Sequence, residues 1–143
     1  SPNVSEPLNL AIACQNAGAD AISAINTVKG AYVALNEDKK NFSIIRGGLS
    51  GPVIKPVALE FIYQIRSAVK IPIIGMGGIS NLQDVFEYFA VGSNAVQIGL
   101  ANYANPAIGE NLAIELQEFL LRNNYRCLND FLRGLKNENN GRV

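Results

Sequence analysis

Three short apolar runs, each closed by a glycine and set apart from the next by amphipathic helical stretches, predict an α/β fold with a parallel sheet. Parallel neighbours cannot be joined by a tight turn, so the helices must be crossovers. Three strands are few for such a sheet, and apolar strands of this kind expect neighbours on both sides. The prediction is therefore the C-terminal part of a (β/α)8 TIM barrel: three parallel strands with helices, plus a hairpin insertion. Residues 1–136 form this barrel part, and 137–143 are expected to be a polar, disordered tail.

The elements follow in order. Residues 4–17 read as a helix with Pro7 in its first turn, where a missing N–H does no harm, and Gly18 as its stop. Ala21-Ile22-Ser23-Ala24-Ile25 is the first buried strand. Ala31–Leu35 and Phe42–Ile45, joined by the polar turn Asn36–Asn41, pair as the inserted hairpin, and a glycine-rich loop, 47–52, closes it. Residues 54–69 form the clearest helix, with Leu59, Ile62, Ile65 and Val69 on one stripe. Ile71-Pro72-Ile73-Ile74 is the second strand, and Gly75–Ile79 the loop that ends it. Ser80 or Asn81 caps a helix through Phe89, with Val85, Phe86 and Phe89 facing inward and Gly92 as its stop. Ala95–Ile98 is the third strand, ended by Gly99. Leu112, Leu116, Phe119 and Leu120 mark one further helix, and Leu128, Phe131, Leu132 and Leu135 another.

Composition narrows the function. The 143 residues carry 12 basic and 12 acidic side chains, so no positive excess exists to displace phosphate counterions, and binding nucleic acid through bulk charge is excluded. There is no histidine, which removes His-based triads, His-ligated zinc and His general bases. Cys14 and Cys127 are too far apart for a CxxC pair; no metal site is expected, Cys14 reads as a small buried hydrophobe, and a reduced, cytoplasmic setting fits. No apolar stretch approaches the roughly 20 residues that span a bilayer, and no leader opens the chain. The first residue is Ser1, which fits a processed chain or a piece of a longer one.

On barrels of this kind chemistry collects on the loops after the strands. Gly77-Gly78 before a helix, together with Gly99, suits an anion, because glycine lets backbone N–H groups approach it. The alternative is a set of tight turns needing positive φ. Gly47–Pro52 is not a P-loop, since no Gly-Lys-Ser/Thr follows. Asn26 and Thr27 end an otherwise apolar strand, and they suit either an amide-like ligand edge or a turn cap. Lys29 and Lys55 read as solvated charges, Glu60, Glu87 and Glu115 as solvent-facing helix residues, and Phe86, Phe89 and Phe119 as core.

Taken together, Ser1-Pro2-Asn3-Val4, Ala19-Asp20 through Thr27, Gly47–Pro52, Ile71–Ile79 and Ala95–Gly99, in this order, resemble the C-terminal half of a class 1 dihydroorotate dehydrogenase, the glycine strings looking most like class 1B. The resemblance covers nearly the whole chain and implies an FMN-dependent barrel that oxidises dihydroorotate to orotate in pyrimidine synthesis. By position it implies that Ile25 and Gly51 line the flavin. It places Gly77, Gly78, Gly99 and Leu100 at the flavin phosphate, and Asn26 and Thr27 at the substrate. The family usually has Thr where this chain has Leu100, which removes a hydroxyl contact. The resemblance also implies a homodimer, a missing N-terminal half of the barrel, and a partner subunit with FAD and an iron–sulfur cluster that passes electrons to NAD; fumarate is the alternative acceptor. A flavin-contacting lysine and the catalytic cysteine base are expected upstream, so no catalytic residue is assigned here and the chain alone is expected not to turn over. Two other readings stand beside this one: a non-catalytic half-barrel assembly module, and another FMN barrel such as a dihydropyrimidine dehydrogenase-like domain.

Overall fold

A computed structural model describes residues 1–37 and 41–139. Its elements are α1 (Pro7–Asn16), β1 (Ile22–Ala24), β2 (Val28–Leu35), β3 (Phe42–Leu49), a 3-10 turn (Pro52–Ile54), α2 (Lys55–Ala68), β4 (Ile73–Met76), α3 (Leu82–Ala90), β5 (Ala95–Gln97), α4 (Ala101–Ala104), α5 (Ile108–Arg122) and α6 (Leu128–Asn139). The strands β1, β4 and β5 form a parallel sheet in the order β1-β4-β5, and β2-β3 form a separate antiparallel hairpin. The pairing of Ile22 with Ile73 and of Ile74 with Ala95 aligns the three carboxyl ends at one edge.

The sheet is short because its ends are specified by side chains. Pro72 has no N–H to give, so β4 begins after it, while its carbonyl accepts the Ile22 N–H at 2.9 Å. The Asn94 side chain accepts the Ile73 N–H at 3.0 Å, and the Asn94 N–H reaches the Ile73 carbonyl at 2.8 Å, which fixes the start of β5. The strand then runs through Gly75 and Met76, two residues past the expected end. Gly75 has to be glycine: a Cβ there would collide with the Tyr88 ring and come within 2.5 Å of Ser93 Oγ. Its absence lets α3 lie close on the sheet.

Ile62, Ile73 and Tyr88 are fully buried between the sheet, α2 and α3. The N-terminus of α3 carries a capping box in which Asn81 accepts the Asp84 N–H and Asp84 accepts the Asn81 N–H. An aromatic cluster joins α3 to α5 and α6, with Phe86 and Phe119 ring centres 4.5 Å apart and Phe131 against both.

Several expectations need correction. The hairpin is longer than predicted: its ladder pairs Val28 with Leu49 and Gly30 with Gly47, so half of the glycine-rich loop is strand. Gly48 is needed there because the Thr27 side chain fills the space a Cβ would take. Cys14 is exposed, since α1 buries only Ala11 and the neighbouring turn stays in solvent; Cys127 is exposed as well. Lys55 is no free surface charge, as described below. Residues 137–139, assigned to the tail, continue α6, and residues 140–143 lie outside the described residues. The turn at 36–41 is closed by Asn36 N–H to the Asn41 carbonyl at 3.0 Å, and its residues 38–40 lie outside the described residues too.

Candidate functional site

The carboxyl ends of the three strands open onto one cavity of about 690 Å³. Ile25, Asn26 and Thr27 enter it from the end of β1, Gly77 and Gly78 from the end of β4, and Gly99 and Leu100 from the end of β5. Ser50, Gly51 and Pro52 close it where the hairpin returns to α2. All eight residues singled out in the sequence therefore meet in one space. Ile54, Met76, Ile79 and Ile108 supply apolar wall that the sequence did not flag, and Ser80, Gln97, Tyr103 and Asn105 complete the rim.

Backbone conformation explains the glycines at the rim. Gly51, Gly77 and Gly78 have φ of 90°, 131° and 73°, a region that L side chains avoid. Gly78 also lies so close to the hairpin exit that a Cβ would sit 2.7 Å from the Gly51 carbonyl oxygen. Gly77 and Gly78 are therefore tight-turn positions at positive φ, and their turns leave the amides free. The N–H groups of Gly77, Gly78, Gly99 and Leu100 donate to no protein acceptor among the described residues. Unpaired amides beside a cavity are poised for an anionic ligand.

A polar scaffold behind the β4 loop holds it in place. The Lys55 ammonium lies 2.6 Å from Asp84 Oδ1 and 2.7 Å from Glu87 Oε2. Asp84 Oδ2 accepts from the Ser80 N–H at 2.7 Å, the Ser80 hydroxyl at 3.0 Å and the Asn81 N–H at 3.2 Å. Burial opposes ionisation of Asp84, but Lys55 and these donors outweigh it and hold the carboxyl below its ordinary range. The same contacts with Asp84 and then Glu87 raise the Lys55 ammonium above its usual value. Sequence periodicity could not show this pairing, since Lys55 and Asp84 are 29 residues apart. Glu87, read as solvent-facing, is half-buried in the same network.

The β1 loop is held by a residue the site reading missed. Asn3 Nδ2 donates to the Thr27 carbonyl at 2.8 Å, and the Lys29 N–H donates to Asn3 Oδ1 at 2.9 Å, so one amide side chain spans the loop. The only signal for it was its place in the Ser1–Val4 string. Asn26 is exposed, and its Oδ1 accepts the Thr27 N–H at 2.6 Å and the Thr27 hydroxyl at 3.3 Å.

Chemically, the cavity offers apolar walls, amide and hydroxyl groups and four free backbone donors. No carboxylate, cysteine, lysine or arginine among the described residues lines it. Among the described residues no cluster of acidic or thiol side chains could hold a metal ion. An apolar aromatic group carrying one anionic tail fits these walls and donors, which is the outline of FMN. Lys55, behind the loop, is already paired with two carboxylates, so amide dipoles are the donors left for an anion.

Parallel strands whose carboxyl ends open together on one apolar cavity define part of an α/β barrel. Residues 1–120 match the family model described as dihydroorotate dehydrogenase. The chain belongs to the dihydroorotate dehydrogenase family. It is 41% identical over 136 residues to the "Dihydroorotate dehydrogenase B (NAD(+)), catalytic subunit" of Geotalea daltonii, covering 95% of this chain and 45% of that protein. The proteins of the same name from Trichlorobacter lovleyi and Oceanobacillus iheyensis are each 44% identical, over 120 and 132 residues, or 84% and 92% of this chain. These matches take in 40% and 43% of those two proteins, so the chain spans under half the length of the curated relatives it matches.

Proposed function

We propose that this chain is the FMN-phosphate- and orotate-binding half of a dihydroorotate dehydrogenase, an oxidoreductase that converts dihydroorotate to orotate in pyrimidine synthesis. The single observation that carries the reading is the convergence of the free amides of Gly77, Gly78, Gly99 and Leu100 on one apolar cavity. Those four groups would hold the flavin phosphate, with Ile25 and Gly51 against the flavin. Asn26 and Thr27, at the mouth of β1, would hydrogen-bond the substrate. Bound FMN would supply the acceptor for the hydride leaving the substrate carbon. The proton lost from the adjacent carbon needs a base, and among the described residues none that lines the cavity is one at neutral pH. The base is therefore assigned to residues outside this chain, and turnover to the complete barrel.

The names of the relatives support NAD as the final acceptor and, in the words "catalytic subunit", a second subunit; that this subunit transfers electrons through FAD and an iron–sulfur cluster is part of the proposal. The hairpin supports protein contacts, in a homodimer or with that subunit: Tyr32, Leu35, Phe42 and Ile45 are all more than half exposed. No helix among the described residues is long and apolar enough to cross a membrane, and a cytoplasmic site of action is part of the proposal.

Coexpression of this chain with the N-terminal half of the Geotalea daltonii relative tests the reading. The expected product is a yellow complex whose flavin absorbance bleaches when dihydroorotate is added without oxygen. A folded complex that carries no flavin would support the assembly-module reading instead. A flavin that bleaches with a dihydropyrimidine and not with dihydroorotate would overturn the substrate.

A further inference from the structure

We infer that Tyr88 is a positioning residue for the anion: its hydroxyl fixes the Gly77–Gly78 peptide so that the Gly78 N–H faces the cavity. This rests on the proposed reading of the cavity as a phosphate site and adds a residue to it. Tyr88 is fully buried in α3 and does not line the cavity; it lies behind the loop. Its hydroxyl donates to the Gly77 carbonyl oxygen at 2.5 Å. That peptide is trans, so its C=O and its N–H point in opposite directions. Pulling the Gly77 oxygen back toward Tyr88 turns the N–H of Gly78 forward, toward the space that both glycines line.

The loop needs such a holder. Gly77 and Gly78 both occupy the glycine-favoured region, and glycine alone moves between basins at little cost, so sequence permits the loop conformation without selecting it. Asp84 and Lys55 anchor the loop from residue 80 onward, but among the described residues no hydrogen bond of that network reaches the Gly77–Gly78 peptide. The phenol is the group that does. Burial, then the nearby Asp84 and Glu87 carboxylates, push its ionisation well above the ordinary tyrosine range, so it stays a donor at any working pH. An anion on the Gly78 N–H would in turn make the Gly77 oxygen a better acceptor, and each hydrogen bond would strengthen the other.

Tyr88→Phe removes the hydroxyl and keeps the ring. FMN and riboflavin, which differ by the phosphate, are titrated against the full chain and the variant, followed by quenching of flavin fluorescence. The unsubstituted chain is expected to prefer FMN. The variant is expected to lose about tenfold in FMN affinity while its riboflavin affinity is unchanged, the size of one weakened charge-assisted hydrogen bond. Equal weakening of both ligands, or of neither, would overturn the positioning role. Failure of the unsubstituted chain to distinguish FMN from riboflavin would instead overturn the phosphate reading itself. Should the variant not fold, the unsubstituted chain still decides the matter. The slowly exchanging Tyr88 hydroxyl proton should shift in NMR spectra on titration with inorganic phosphate, and a resonance that stays still while phosphate binds refutes the coupling.

Discussion

Replacing Asp84 by asparagine tests whether the scaffold behind the β4 loop holds the site together. The carboxylate collects four donors: Lys55 Nζ, the Ser80 N–H and hydroxyl, and the Asn81 N–H. Asparagine keeps the shape but has one acceptor oxygen, and its NH2 must face either the Lys55 ammonium or the Ser80 and Asn81 amides. Breaking a buried pair outright costs about 3–5 kcal/mol. Here Lys55 is partly exposed and keeps Glu87 at 2.7 Å, so the loss should be nearer 2 kcal/mol, or roughly 30-fold in the folding equilibrium. Urea unfolding followed by circular dichroism measures it, and a pH series gives the sign. The Asp84 pKa is depressed in the fold, so its contribution is present above the unfolded carboxyl pKa of about 4 and disappears as pH falls through the lower folded value. The stability gap between the two chains should stay level from neutral pH down to about pH 5 and then close in more acid solution. A gap near zero at pH 7, or one that persists unchanged into strong acid, would refute the assignment of Asp84 as an ionised keystone.

Two further substitutions probe the rim directly. Gly78→Ala places a methyl 2.7 Å from the Gly51 oxygen at φ of 73°; the left-handed conformation alone costs about 1–2 kcal/mol, so thermal scans should show a lowered midpoint and FMN titration a weakened site. Leu100→Thr restores the hydroxyl usual in the family at a rim position that is half exposed, and should raise FMN affinity by about tenfold, measured against riboflavin as the phosphate-free control.

The parallel sheet was legible because an apolar run ended by glycine is a local pattern, and local patterns survive in the chain order. Ile22–Ala24, Ile73–Met76 and Ala95–Gln97 fall on or beside the three predicted runs. Errors came where a strand's extent depends on what it meets. Gly75 reads locally as a terminator, yet it is a strand residue thinned for Tyr88, and Gly47-Gly48 read as loop although they pair across to Gly30 and Lys29.

The site shows the same division more sharply. That Gly51, Gly77, Gly78 and Gly99 are backbone positions open to a ligand could be read one residue at a time, because glycine states what its own position tolerates. What makes those positions act together cannot be read that way. Lys55 meets Asp84 across 29 residues, Asn3 meets Thr27 across 24, and Tyr88 meets Gly77 across 11, and each partner alone looks like an ordinary surface lysine, turn asparagine or core aromatic. Permissive glycines without these holders would sample many loop shapes, and the amides would lose the shared direction that the proposed phosphate site needs. The chemistry at the rim is therefore written in glycines, but the geometry that makes it usable is written in distant polar side chains. That is why substitutions at Asp84 and Tyr88, neither of which lines the cavity, are expected to change what it binds.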